Sequence, residues 1–259
     1  MSKLPKGKRF FDLSDYGRPI AKFIANALKS TNVTPIQMTW AFVLVGFIAI
    51  YMIWKEEYLL ALFLLISKSI LDAADGELAR VKNTPSYSGR YFDSIADWIL
   101  NLGIFICIGL KMEYAMAISI LSFVSMELQG TLYNYYYVIL RNKHAGDTTS
   151  RIIESECPTA YKNESQALVN FLFKFYRLLY DPFDKLIYVL DRSAATDRKF
   201  SRILMTLVSS CGLGFQLLII GIFLSIGLIH WIIPFFILYN VMIPFFISFR
   251  KIYIQVYFF

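Results

Sequence analysis

The sequence predicts an all-α integral membrane protein: six transmembrane helices, with an N-terminal amphipathic helix in the membrane interface. Three observations lead there. Of 259 residues, 57% are hydrophobic and 17% charged, where soluble domains carry roughly 45–50% and about 25%. Six apolar segments recur, each near the roughly 20 residues that cross a hydrocarbon core. Lysine and arginine gather in alternate connections between them, the pattern of the positive-inside rule.

Residues 1–13, with Lys3, Lys6, Lys8 and Arg9, read as a loose basic tail. From Ser14 to Ser30, the residues Ile20, Phe23, Ile24, Ala27 and Leu28 recur on one helical face, with Arg18, Lys22 and Lys29 elsewhere. That spacing fits an interfacial helix; a short helix packed on the spans fits it equally well. The spans are expected at about 35–54, 57–79, 91–111, 114–140, 203–228 and 231–249. Thr34-Pro35 opens the first, with proline where its missing N–H costs nothing. Pro234 and Pro244 are expected to kink the last. The connection at about 141–202 is too long for a turn. Its second half, Leu168 to Leu190, reads as one or two interfacial helices broken near Asp181-Pro182. The chain thus divides into residues 1–34, tail and interfacial helix, and residues 35–259, one six-span domain.

Residues 1–34 carry seven Lys/Arg, residues 80–90 three, residues 141–202 eleven, and the end Arg250 and Lys251. The other connections hold only Lys55 and Lys111. Both termini and the two basic loops therefore belong in the cytosol. A basic face against anionic lipid accounts for the net charge of +7, and no nucleic-acid motif accompanies it. Cys107, Cys157 and Cys211 lie far apart, two in apolar stretches, so neither a disulfide framework nor a zinc site is indicated. No cleavable signal peptide is expected, because the first apolar run starts late and follows a basic, polar stretch.

Residues 72–97 carry the chemistry. The stretch DAADGELARVKNTPSYSGRYFDSIAD starts at the end of one apolar run and finishes inside the next. Charged residues in such a place mark function by default. Asp72, Asp75 and Ala79 share a helical face, and Asp93 and Asp97 share another one helix later. Two antiparallel helices would bring the pairs together. Four carboxylates that close cannot all stay ionised without positive charge among them. Lys68, Arg80 and Arg90 are nearby basic candidates, but three monovalent side chains would leave oxygen lone pairs unfilled. Hard oxygen ligands without His or Cys suit Mg2+, or Mn2+ as its substitute, and two ions could bridge a diphosphate. Gly76 and Gly89, and more weakly Ala79, leave room for a ligand against the backbone.

The pattern D-x2-D-G-x2-A-R-x8-G-x3-D-x3-D, here Asp72, Asp75, Gly76, Ala79, Arg80, Gly89, Asp93 and Asp97, resembles the complete signature of the CDP-alcohol phosphotransferases. With each residue at about one in twenty, a chance match in this chain is on the order of 10⁻⁸. The six-span arrangement and Thr34-Pro35 are similar to the family too, so the resemblance covers roughly residues 30–250 and the 141–202 connection least. It implies that Asp72, Asp75 and Asp93 hold metal, and that Asp97 completes the metal site and takes the acceptor hydroxyl's proton. CDP would lie against Asp72, Gly76, Ala79 and Gly89, with Arg80 near the phosphates or holding the aspartates, and Thr34 touching the nucleotide. A homodimer is also implied.

Other residues leave choices open. Lys68, one turn before Asp72, is placed to pair with that carboxylate or to steer phosphates. Tyr133, Tyr135, Tyr136 and Tyr137 read as an interfacial belt, against an aromatic cage for a quaternary ammonium. Glu127, Gln129 and Asn134 could line an acceptor pocket or hydrogen-bond between helices. Arg141, Lys143 and Arg151 could grip an acceptor phosphate or face anionic lipid. Gly212 and Gly214 permit close packing. The expected reaction is metal-dependent transfer of a phosphatidyl group from a CDP-activated lipid such as CDP-diacylglycerol to a small polar alcohol, releasing CMP, in phospholipid synthesis. The alternatives are a CDP-choline or CDP-ethanolamine type enzyme acting on a lipid alcohol and, from another class, a cation-coupled transporter.

Overall fold

The computed structural model describes Leu4, Gly7, residues 9–144 and residues 153–258. Among these the protein is all-helical. A 3-10 turn at Leu13–Asp15 leads into α1 (Arg18–Leu28), α2 (Pro35–Trp54), α3 (Tyr58–Lys82), α4 (Tyr87–Lys111) and α5 (Met116–Lys143). After the 141–202 connection begins come α6 (Gln166–Leu190), α7 (Arg192–Asp197), α8 (Arg202–Val208), α9 (Leu213–Ser225), α10 (Ile229–Leu238) and α11 (Met242–Phe258).

The sequence expected six spans. Among the described residues, three helical stretches are long and apolar enough to cross a membrane, Pro35–Trp54, Tyr87–Lys111 and Ile229–Gln255. A fourth is added if Arg202–Cys211 and Leu213–Ser225, bent by 51° where they meet at Gly212, count as one. The chain is therefore a multi-pass membrane protein. Helices α3 and α5, also expected to span, fall short for a physical reason: α3 carries Lys68, Asp72, Asp75, Glu77, Arg80 and Lys82, and α5 carries Glu127, Gln129, Asn134 and Arg141. Their polar load is the candidate site itself. Trp40, Leu44, Phe47 and Tyr51 of α2 point outward and exposed, as a lipid-facing surface would.

Helix starts follow local chemistry. Thr34 caps α2 in a reciprocal box: its hydroxyl accepts from the Gln37 N–H at 3.4 Å, and the Gln37 side chain accepts from the Thr34 N–H at 2.9 Å. Pro35 is the first helical residue, as the sequence expected. Asn83 ends α3 in the left-handed conformation, φ 54°. Ser86 caps α4 by accepting from the Gly89 N–H at 2.8 Å. Glu164, arriving from the long connection, accepts at the same helix start from the Ser88 hydroxyl (2.6 Å), the Ser88 N–H (2.7 Å), the Ser86 hydroxyl (2.8 Å) and the Tyr87 N–H (3.1 Å). Burial alone would raise the Glu164 carboxyl, but these bonds outweigh it and hold it below its ordinary value.

Several expectations need correction. The tail is not loose where it is described: Leu4 is buried, Phe10 packs edge-on against Tyr137, and the Leu13 N–H donates to Ser209 Oγ at 2.9 Å. Gly212 and Gly214 make this docking possible, since a Cβ on Gly214 would stand 2.1 Å from the Ser14 carbonyl oxygen. Helix α1 packs on the helices behind it through Ala21 and Ala25, against Ala74 and Leu78, while Ile20 and Phe23 remain exposed. Helix α6 is unbroken at Asp181-Pro182. Proline inside a helix costs about 3 kcal/mol, and Arg177, Asp181 and Lys185 bridge the position with ion pairs at 2.7 and 3.3 Å. In the last span the interruption is a 3-10 turn at Tyr239–Val241, between the two prolines. Tyr133, Tyr135, Tyr136 and Tyr137 form no outward belt. They turn inward because the N-terminal segment, α7 and α8 cover that end of α5: the Tyr136 hydroxyl donates to Asp191 at 2.6 Å, and the Tyr133 hydroxyl to Asp12 at 2.5 Å.

Candidate active site

The antiparallel α3–α4 pair brings the two aspartate pairs to one place, and Asp72, Asp75 and Asp93 each offer a ligand oxygen within 4.8 Å of the others. Asp75 is fixed by the Thr39 hydroxyl of α2, which donates to its Oδ2 at 2.7 Å. Asp93 Oδ1 is buried without a hydrogen-bond partner. A buried carboxylate oxygen left so is costly, and a hard cation satisfies it. The three residues therefore fit a divalent metal.

Asp97 stands apart from that trio. Its Oδ1 accepts from the ammonium of Lys68, which is fully buried and lies 5.1 Å from the centre of the Phe42 ring. Arg80 pairs with Glu77 at 3.0 Å, and Arg18 of α1 pairs with both Glu77 and Asp15.

These groups open on a cavity of about 410 Å³. Of the expected nucleotide residues, Asp72, Gly76 and Arg80 line it. At Gly76 an added Cβ would first meet the Arg80 guanidinium, at an ordinary contact distance of 3.5 Å. Thr34, Ala79 and Gly89 do not line it; Thr34 and Gly89 serve helix caps instead. Of the expected acceptor residues, Glu127, Asn134 and Arg141 line the cavity. Gln129 is buried between helices, donating to the Phe236 carbonyl at 2.9 Å, and Lys143 donates to the Arg198 carbonyl at 2.8 Å. Arg151 lies outside the described residues.

Part of the wall went unread in the sequence. Asn101, one turn beyond Asp97, donates to Glu127 at 3.3 Å; its place in the Asp93–Asp97 register was the signal for it. From the N-terminal segment come Asp12, Asp15 and Arg18. Glu154 pairs with Arg90 at 2.8 Å. Helix α6 turns Tyr176, Tyr180 and Asp184 to the cavity, at the i, i+4, i+8 spacing of one face. Burial, with Asp181 and Glu154 adding like charge, pushes the Asp184 carboxyl up to about 7.

Residues 32–154 match the sequence model of the CDP-alcohol phosphatidyltransferase family. The stretch holds all four aspartates and both glycines of the signature. A CDP-diacylglycerol–serine O-phosphatidyltransferase of Helicobacter pylori is 35% identical over 65 residues, which is 25% of this chain and 27% of that protein. The chain thus aligns with about a quarter of that relative's length. No solved structure matches. The three clustered aspartates, which could hold a metal ion, lie inside the matched stretch, so residues 32–154 are similar to the CDP-alcohol phosphatidyltransferase family, whose members are transferases.

Proposed function

We propose that this protein transfers a phosphatidyl group from a CDP-activated lipid such as CDP-diacylglycerol to a small polar alcohol, releasing CMP, in phospholipid synthesis. The observation that carries this reading is the Asp72–Asp75–Asp93 trio on the wall of a cavity that Asp97 also faces. The bound ion is Mg2+ or Mn2+, which would neutralise phosphate charge and make CMP a good leaving group. Asp72, Gly76 and Arg80 contact the donor's head, with Ala79, Gly89 and Thr34 at its periphery. Asp97, with one carboxylate oxygen on Lys68, keeps the other for the acceptor's proton. A bond forms from the acceptor oxygen to the lipid-side phosphorus while that phosphorus parts from the oxygen kept by CMP. Holding alcohol and phosphorus together supplies much of the rate, because a carboxylate alone is a weak base toward an alcohol.

The same reading makes residues 35–259 one six-span domain behind the 1–34 segment, with α3 and α5 crossing as polar-cored spans. Each of the six apolar segments coincides with a helical stretch, which supports the count. The charge distribution supports placing both termini and the site on the cytosolic side. Exposed Ile20 and Phe23 support α1 lying in the interface. The assembly is a homodimer, as the resemblance implies; mass photometry of the solubilised protein tests that.

Purified protein with Mg2+ or Mn2+ and CDP-diacylglycerol, offered inositol phosphate, glycerol phosphate, serine, ethanolamine or choline, should release CMP with one class of acceptor. No CMP from any CDP-alcohol donor would sink the reading. Asp97→Asn should abolish turnover in a folded protein. Cation flux across proteoliposomes without nucleotide would favour a transporter instead.

A further inference from the structure

The trio of Asp72, Asp75 and Asp93 leaves out the fourth signature aspartate, which pairs instead with Lys68 of α3, one turn before Asp72. The ammonium of Lys68 sits on Asp97 Oδ1. Its side chain is fully buried, packed under the Phe42 ring, and the charges acting on it are Asp97, Asp72 and Asp93. A buried ammonium is tolerated only while paired. A second dication ligated by the other oxygen of Asp97 would compete with Lys68 for that carboxylate's charge and stand within a few ångströms of a like charge in a low dielectric. The lysine, enclosed on its whole length, has no water to retreat to.

We infer that Lys68 takes the place of a second divalent cation, so that this protein binds one divalent ion per chain and holds Asp97 as a lysine-positioned carboxylate rather than a metal ligand. The inference rests on the metal-site reading above but fails separately from it. Lys68 is then a positioning residue. It fixes one oxygen of Asp97 and supplies one permanent positive charge among four carboxylates, leaving the trio to a single ion.

The test is Mn2+ binding to the full chain in lipid nanodiscs, with and without CDP, read as bound manganese per chain and as the electron paramagnetic resonance spectrum. Wild type should bind one ion with the spectrum of an isolated Mn2+. Lys68→Met, nearly the same shape without charge, should bind two, with the broadening of a close pair. Lys68→Arg should stay at one, and Lys68→Met combined with Asp97→Asn should return to one. Two ions on the wild type overturn the inference even if the variants fail to fold. So does a folded Lys68→Met that still binds one. No bound manganese at all would instead defeat the metal site itself, and this inference with it.

Discussion

Lys68 and Arg250 are both fully buried cations on a carboxylate, yet their surroundings differ at every point. Arg250 of α11 meets Asp191 through two bonds, Nε to Oδ2 at 2.7 Å and Nη2 to Oδ1 at 2.5 Å. The Tyr136 hydroxyl adds a bond to Oδ2, and the Ser193 hydroxyl one to Oδ1 at 3.1 Å. Asp191 is itself fully buried and does not line the cavity. Lys68 makes one ion pair, and its partner Asp97 faces the cavity with an oxygen to spare. A carboxylate whose lone pairs are filled by its neighbours locks helices together. One left partly open can take a proton from something that enters. Burial and pairing do not separate structure from chemistry here; saturation does.

Arg250→Met tests the closed half with the largest expected effect. It strands Asp191 in a dry interior, and losing one partner of such a pair costs about 3–5 kcal/mol, read as a lower unfolding midpoint in micelles with turnover per folded molecule retained. Lys68→Met should cost less, about 1–3 kcal/mol, because water or a cation can reach Asp97. Equal losses would break the comparison. Gly214→Ala follows, at about 1–3 kcal/mol for forcing a methyl against the Ser14 backbone; it should also lower activity by displacing Asp12, Asp15 and Arg18 from the cavity wall. Glu164→Gln weakens the start of α4 by about 1–2 kcal/mol. Because the Glu164 carboxyl is held below its ordinary value, its stabilisation is present above the unfolded value near about 4.3 and lost as pH falls through the folded one. Asp184, raised to about 7, has the opposite sign: its contribution is whole below its unfolded value and fades as pH rises through about 7. Acid titration of unfolding midpoints should lose the acid slope in Glu164→Gln and the neutral slope in Asp184→Asn. The smallest effect is Thr34→Ala, about 1 kcal/mol for a lost cap with an unchanged donor KM; a raised KM would restore Thr34 as a nucleotide contact.

The two halves of that comparison were not equally legible. Asp72, Asp75, Asp93 and Asp97 could be read as one site because helical spacing and a short loop fix their meeting within 26 residues of chain. Arg250 and Asp191 are 59 residues apart, and each alone looks like an ordinary loop or terminal charge. The apolar segments were legible as helices because their composition tolerates no other backbone in lipid. The unbroken α6 was not, since Pro182 argues for a break and only the ion pairs and the Tyr176–Tyr180 stack, 4.8 Å between centroids, offset it. The tyrosines of α5 misled for a related reason: side-chain type suggested an interface, while their partners Asp12 and Asp191 lie on distant elements.

The docked N-terminal segment also sets an order of events. Leu13 and Ser14 make their bonds to Ser209 and Gly214, 196 and 200 residues further along. Until residues 209–214 leave the ribosome, those bonds have no partner. Asp12, Asp15 and Arg18 are thus synthesised long before the residues that hold their segment in place. Contacts this distant in sequence form slowly. The cavity wall that Asp12, Asp15 and Arg18 supply is therefore held in place only once residues 209–214 are present.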